Sequence, residues 1–297
     1  MRRRDFFLQI LRDFTRHPPL PAVRPDPRTW SDDAITGSCL GHSTVLMNFF
    51  GAIVLTDPIF SKRAGPGLGP FVLGPKRYLR PALKPREIPA PDLILISHAH
   101  FDHLDRRSLA KFSRDTPVVT AGDTRDLLKR FRQVHEITWG NAVTVSTRSG
   151  PIKITALEVA HWGARMIRDV HRGYNGYLIE RGGHAVCFAG DTAYTTAFSH
   201  LRRSPPSIDL ALMPIGAYNP WIRAHCNPEQ AVAMAEDAGA HYFVPIHQET
   251  FKLSAEPMDE PSRRVEARFS TDPERLLALH VGETFKVPKA APLAIGG

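Results

Sequence analysis

His98, His100, Asp102 and His103 fall within six residues, in the segment His98-Ala99-His100-Phe101-Asp102-His103. Histidine is the commonest transition-metal ligand, and carboxylate is a frequent companion. Metal binding needs side chains that converge, and a tight turn can aim several of them at one point. Histidines two apart can share one ion, while Asp102 and His103 reach a neighbouring one. Three more ligand-type residues stand at the ends of strand-like segments: His161 in Val159-Ala160-His161, Asp191 in Phe188-Ala189-Gly190-Asp191, and His247 in Val244-Pro245-Ile246-His247. In α/β folds, strand ends are where sites assemble. Singly, each would pass for a structural histidine or a turn aspartate; together they complete two coordination shells. Imidazole and carboxylate without thiolate suit Zn²⁺, Fe²⁺, Mn²⁺ or Ni²⁺, with zinc the default. A solvated histidine-rich turn would explain the cluster but not the company it keeps.

The elements that must hold these side chains are legible from the pattern. Residues 93–97 form a short apolar run ending in a polar residue, as a buried strand would, and deliver His98 directly. Asp105 suits the N-cap of a helix through Leu109 and Phe112. Residues 44–49 and 52–55 are strand-like, and a long Gly/Pro-rich loop runs over residues 57–91. Further strands are expected near Val118, Ile137, Val145 and Ile154, with a helix over residues 124–131. Residues 177–180 and 185–189 read as a strand pair joined across Gly182-Gly183. Residues 208–214 and 242–246 read as strands. Between them Asn227-Pro228-Glu229 opens a helix that Gly239 ends. Another helix is expected within residues 257–269. Two mixed β/α halves suggest a four-layered αββα sandwich, although the alternation alone fits other α/β folds.

The chain has 297 residues, enough for one large α/β domain or two small ones. It is 42% hydrophobic and 23% charged, which fits a globular enzyme. No apolar run approaches the roughly 18 residues of a membrane-spanning helix. The N-terminus is basic but lacks a secretory pattern. Cys39, Cys187 and Cys226 show no paired spacing, so a disulfide framework is not expected and a reducing cytoplasm is. A net charge of +8 favours anionic substrates, nucleic acid or an anionic lipid surface, without selecting among them. Within residues 5–15, Phe6, Phe7, Ile10, Leu11 and Phe14 form a helical stripe with an arginine rim. The stripe suits peripheral contact with the inner face of a membrane, or packing on the chain itself or a partner subunit in an oligomer. A Pro-rich stretch from Pro18 to Pro27 follows. The expected division is therefore residues 1–28 as basic amphipathic helix and Pro-rich arm, and 29–297 as a single domain that carries the ligand cluster.

Several segments together resemble one branch of the metallo-β-lactamase superfamily, whose hallmark is H-x-H-x-D-H followed by a distant His, Asp and His. They include Leu40-Gly41-His42-Ser43-Thr44, Leu55-Thr56-Asp57-Pro58, Gly74-Pro75-Lys76-Arg77, His161-Trp162, Gly190-Asp191-Thr192, Pro214-Ile215-Gly216-Ala217-Tyr218 and Asn227-Pro228-Glu229-Gln230. The branch is that of the N-acyl-phosphatidylethanolamine-hydrolysing phospholipase D and its bacterial relatives, and the likeness spans about residues 30 to 285. His100 stands where redox members of the superfamily carry Glu, which favours a hydrolase. The resemblance implies a first metal on His98, His100 and His161, a second on Asp102, His103 and His247, and Asp191 bridging them. A hydroxide shared by the two ions would attack a phosphodiester, oriented by Asp102. His225 would lie close to substrate and protonate the leaving group, and His42 and Asp57 would orient ligands.

The match departs at two places that bear on substrate. His247 is followed by Gln248-Glu249-Thr250-Phe251 instead of a Trp-Gly pair, so a carboxylate is expected near the second metal. Residues 167–176 replace a tryptophan-containing stretch and bring Arg168 and Arg172. The leading function is thus a dinuclear, phospholipase D-like phosphodiesterase acting on a small molecule or lipid. A lactonase or other esterase on the same site is the enzyme rival. Nuclease activity would call for an additional nucleic-acid-binding module, and antibiotic hydrolysis suits a cytoplasmic chain poorly. The rival of another class is a non-catalytic metal-containing binding protein at a membrane or nucleic-acid surface. None of the seven expected ligands is missing, which favours catalysis.

Overall fold

The computed structural model describes residues 16–69, 71–166 and 169–288. The expected helix of residues 5–15 and Arg168 lie outside the described residues. Short apolar runs bounded by Gly, Pro and Asp become strands, in the order β1 (Ile35–Gly41), β2 (Thr44–Phe49), β3 (Ala52–Thr56), a two-residue hairpin β4 (Gly67–Leu68) and β5 (Phe71–Val72), and β6 (Leu93–Ile96). After the single-turn helix α1 (Arg106–Leu109) come β7 (Val118–Ala121), β8 (Val134–Ile137), β9 (Ala142–Thr147), β10 (Gly150–Leu157), β11 (Gly176–Arg181), β12 (His184–Phe188) and β13 (Ile208–Pro214). The chain closes with α2 (Pro228–Ala238), β14 (Tyr242–Ile246), α3 (Glu260–Arg268) and β15 (Thr284–Lys286).

Two sheets face each other, one in the order β15-β1-β2-β3-β6-β7-β8 and the other β14-β13-β12-β11-β10-β9. Strand periodicity sorts side chains between layers. Val186 and Phe188 of β12, with Leu210 and Leu212 of β13, enter the core shared with the first sheet. Their neighbours Ala185, Cys187, Ala211 and Met213 enter a second core, closed by Val232, Met234 and Ala235 of α2 and Val265 of α3. The first sheet carries a thinner outer cover, to which Leu109, Phe112 and Leu128 contribute. This is the αββα arrangement that the sequence suggests.

Local chemistry fixes several boundaries. Asn227 and Gln230 form a reciprocal capping box, Pro228 opens α2, and Gly239 ends it at φ 78°. Gly182 and Gly183, at φ 59° and 83°, turn β11 into β12. The helix expected over residues 124–131 is a 3-10 turn over Arg125–Leu128, and Asp105 caps only one turn. Pro117 lies directly ahead of β7 and leaves little chain for more helix. The loop of residues 57–91 is built around the buried Arg77. Its guanidinium donates to the carbonyls of Ile59, Ser61 and Leu79. The described part of the arm packs on this loop: Arg80 N donates to Pro19 O at 2.9 Å and Arg24 Nε to Ala82 O at 3.1 Å. Among the described residues no helix is long and apolar enough to cross a membrane.

Candidate metal centre

Seven strand exits supply the site, all at one end of the sandwich. β1 leads to His42, β3 to Asp57, β6 to His98–His103, β10 to His161, β12 to Asp191, β13 to His225 and β14 to His247. Four of these exits turn sharply: His42, Asp57 and His247 have φ of 59°, 33° and 60°, and Gly190 ahead of Asp191 has 61°. Positive φ is costly for residues with a Cβ, and such strain concentrates where a site over-determines the backbone.

The nominated side chains converge. His98, His100 and His161 bring ligand atoms together in one trio, with His98 Nε2 2.8 Å and His161 Nε2 3.3 Å from His100 Nδ1. Asp102, His103 and His247 form a second group, which His42 joins. Asp191 Oδ2 lies between the groups: it is 3.2 Å from the Nε2 atoms of both His103 and His247, 3.7 Å from that of His161 and 4.0 Å from that of His98. His225 Nδ1 is also 3.7 Å from it.

Outer contacts hold the rings in place. Asp57 Oδ2 binds His103 Nδ1 at 2.6 Å and Oδ1 accepts from Ser97 N at 2.7 Å, which leaves His103 Nε2 turned inward. His161 Nδ1 donates to Ala224 O at 2.7 Å, and His42 Nε2 donates to Asp102 Oδ2 at 2.9 Å. Such partners fix tautomer and orientation in metal sites. Two residues with this part escape the sequence reading. Ser97 donates its hydroxyl to Asp57 at 2.6 Å, and its place directly before His98 is the signal that could have found it. Arg165 donates to Ala99 O and Leu104 O and lies 3.9 Å from the Phe101 ring, clamping the His98–His103 loop. Its distance in sequence from that loop gives no cue.

Buried polar atoms test whether these residues fit a metal. His100 Nε2, His103 Nε2, Asp191 Oδ1, His225 Nδ1 and both ring nitrogens of His247 are buried without a hydrogen-bond partner among the described residues. Buried polar groups are normally satisfied, and a cluster of buried imidazole and carboxylate atoms without partners is what a cation would satisfy. The residues fit.

Charge points the same way. Burial drives His98 well below its usual range, His100 to about 4 and His161 downward, so these rings are neutral and have lone pairs to give. Burial also opposes charge on His103, but Asp191, Asp102 and Asp57 outweigh it and hold the ring well above its usual value. For His247 the charge of Asp191, helped by Asp102, overcomes burial and raises the ring to about 9. Asp102 and Asp191, which burial alone would neutralise, are kept well below the carboxylate range by these protonated rings. Without an ion, protons on His103 and His247 carry the positive charge the carboxylates demand.

The substrate-bearing departures resolve differently from expectation. Glu249 is not at the second metal group: its carboxylate binds His280 Nδ1 at 2.6 Å and accepts from Val281 N at 3.0 Å. Arg172 is buried and paired with Asp126 and Asp169, so its charge is consumed in holding its loop. Trp162 packs edge-on against His100, with ring centroids 4.5 Å apart, and is half exposed.

Residues 53–248 match the beta-lactamase superfamily domain. An uncharacterized protein of Mycobacterium tuberculosis is 30% identical over 279 residues, covering 90% of this chain and 73% of the relative. The N-acyl-phosphatidylethanolamine-hydrolyzing phospholipase D 1 of Caenorhabditis elegans is 28% identical over 276 residues, covering 86% and 77%. Among solved structures, a metallo hydrolase of Ignicoccus hospitalis shares the fold with a TM-score of 0.61 at 21% identity, covering 86% of this chain and 99% of that one. With its fold, its H-x-H-x-D-H turn and this match over most of its length, the chain belongs to the metallo-β-lactamase superfamily.

Proposed function

We propose that this metal-dependent hydrolase is a dinuclear phosphodiesterase of the phospholipase D type. The observation that carries the reading is the position of Asp191 Oδ2, within 4.0 Å of a ring nitrogen from each of His98, His103, His161, His225 and His247. A carboxylate oxygen at the junction of two ligand groups suits a bridge between two ions. His98, His100 and His161 would hold one ion and Asp102, His103 and His247 the other. Two divalent ions, zinc foremost, would supply Lewis acidity toward phosphoryl oxygens and a water nucleophile available near neutral pH. Support for the substrate class comes from the C. elegans relative, named for hydrolysing N-acyl-phosphatidylethanolamine, a lipid phosphodiester.

The chain's own groups orient and move protons. Asp102, anchored by the His42 ring, orients the attacking water. Asp57 keeps His103 in the tautomer that presents Nε2. Burial pushes His225 to about 3, so it meets substrate as a neutral ring that donates one hydrogen bond. A protonated His225 would give its proton to the leaving oxygen, and an anionic phosphodiester beside the ring favours that protonated form. A lipid substrate brings the protein to a membrane surface, and the arginine-rimmed stripe of residues 5–15 suits that contact from the cytoplasmic side.

The test is hydrolysis of bis(p-nitrophenyl) phosphate, a phosphatidylethanolamine, a lactone and a β-lactam, with metal content measured on the same sample. Phosphodiester turnover by wild type should fall roughly a hundredfold or more in Asp191→Ala, with loss of bound metal. Lactone cleavage alone would contradict the phosphodiesterase reading while keeping the site.

A further inference from the structure

The two main sheets end on four strands, β15 and β8 in one, β14 and β9 in the other. An edge strand offers unpaired N–H and C=O groups to other chains, and folds blunt it with charge, proline, shortness or a cover. Three of these edges are blunted. β15 spans three residues and carries Lys286. β8 carries His135 and Glu136, and Glu136 Oε1 accepts from Thr124 N at 2.7 Å and Arg125 N at 2.8 Å. β14 is covered: Leu277 N donates to Phe243 O at 3.1 Å, and Arg275 Nε to His241 O at 3.2 Å.

β9 is the exception. Its six residues, Ala142-Val143-Thr144-Val145-Ser146-Thr147, hold no charge and no proline and are rich in β-branched types. Ala156 N donates to Asn141 O at 2.9 Å, and the register pairs Val143 with Ile154, Val145 with Ile152 and Thr147 with Gly150. In an antiparallel ladder the bonded positions alternate, so Val143, Val145 and Thr147 bond to β10. The N–H and C=O groups of Ala142, Thr144 and Ser146 therefore point away from the sheet, and among the described residues no strand pairs with that side. The side chains of Ala142, Thr144 and Ser146 are exposed, while Val145 is buried in the core and Val143 packs partly against it.

We propose that β9 pairs with β9 of a second copy of this chain, antiparallel about a twofold axis at Thr144. The segment is complementary to itself in that register. Thr144 meets the partner's Thr144, Ala142 meets the partner's Ser146, and Val143 meets the partner's Val145 on the core side. Every outward backbone group of the strand then gains a partner, and no pair sets charge against charge. The same axis brings Trp139, 41% exposed in the turn before β9, to the partner's hairpin turn at Arg148 and Ser149. An exposed tryptophan is a common anchor of such interfaces. The pairing joins the second sheets of the two copies and is independent of the bond cleaved at the metal centre.

The experiment follows full-length metallated protein by sedimentation velocity over a range of concentrations. It compares wild type, Thr144→Lys, Thr144→Pro and Thr271→Lys, the last placing the same charge on an exposed threonine beyond α3. Wild type should sediment as a dimer. Thr144→Lys sets two ammonium groups opposite each other, and Thr144→Pro removes an outward N–H without touching the bonds to β10. Each should raise the dissociation constant roughly tenfold or more, with Thr271→Lys within about twofold of wild type. Unchanged metal content and circular dichroism verify that the variants are folded. Thr144→Cys tests the register, because Cα atoms of a hydrogen-bonded antiparallel pair lie about 5.5 Å apart, inside the disulfide range. The three native thiols are buried, so mild oxidation should join Thr144→Cys, and not wild type, into a covalent dimer. Wild type that stays monomeric at about 100 μM overturns the proposal. So does a dimer that persists in both Thr144→Lys and Thr144→Pro, or one that Thr144→Cys does not cross-link, since either places the contact elsewhere.

Discussion

Asp57 turns no atom toward the space between the ligand groups, yet the geometry depends on it. Its two oxygens accept from Ser97 N and Ser97 Oγ and bind His103 Nδ1, which fixes both the loop and the ring. Asp57→Ala should therefore weaken metal binding by roughly 10–100-fold, as loss of a ring's outer partner does in other metal sites. Glu249→Gln, whose side chain is engaged with His280 and Val281, should leave metal affinity unchanged in the same equilibrium dialysis. Equal effects of the two changes would contradict these placements. Cysteine chemistry is silent for a separate reason: all three thiols are buried, and burial pushes Cys39 and Cys187 to about 12 and raises Cys226 as well. Reactivity follows the exposed thiolate, so the folded protein should react with no equivalents of a thiol reagent and the denatured chain with all three.

At the scale of elements, His42, Asp57 and His247 follow their strands directly, and a glycine makes the turn that leads from β12 to Asp191. A Cβ on Gly190 would lie 2.8 Å from Ser97 Cβ and 2.9 Å from Asn175 O, at a φ of 61°. Gly190→Ala should thus destabilise the fold by about 1–3 kcal/mol and also disturb Ser97, read as a lower melting temperature together with lower metal content. A drop in neither would show that the β12 exit is slack. The strands that feed the site are the part of the fold most legible in sequence. Ile208–Pro214 and Tyr242–Ile246 agree residue for residue with expectation, because buried parallel strands read as near-continuous apolar runs, broken here only by Asp209 near the start of β13. β1 is not legible: Ile-Thr-Gly-Ser-Cys-Leu-Gly is buried throughout yet lacks both alternation and an apolar run. β15 spans three residues and owes its place to pairing with β1. The convergence of His42 and Asp57 on the metal residues likewise depends on tertiary packing, and only the resemblance to a family nominated them. Arg165 acts through outer contacts that no spacing encodes, whereas Ser97 is marked in sequence only by standing directly before His98.

For the whole molecule, metal binding and folding share protons. In the metal-free protein His247 sits near 9 instead of 6.5, so its charged form contributes stability that is full below about pH 6.5 and lost as pH rises through about 9. An ion needs the neutral ring and must displace that proton, at a cost that vanishes over the same window. The rise in melting temperature produced by a fixed metal concentration should therefore grow from pH 6.5 to pH 9; an increment that stays flat would contradict the assignment of His247 to the ligand set. The most direct test of a two-ion phosphodiesterase is a titration of metal-free protein with Zn²⁺ while following hydrolysis of bis(p-nitrophenyl) phosphate. Activity should rise to a plateau at about two equivalents per chain, since in a two-ion site both ions act on one phosphoryl group. A plateau at one equivalent, or full metallation without phosphodiester turnover, would contradict the account.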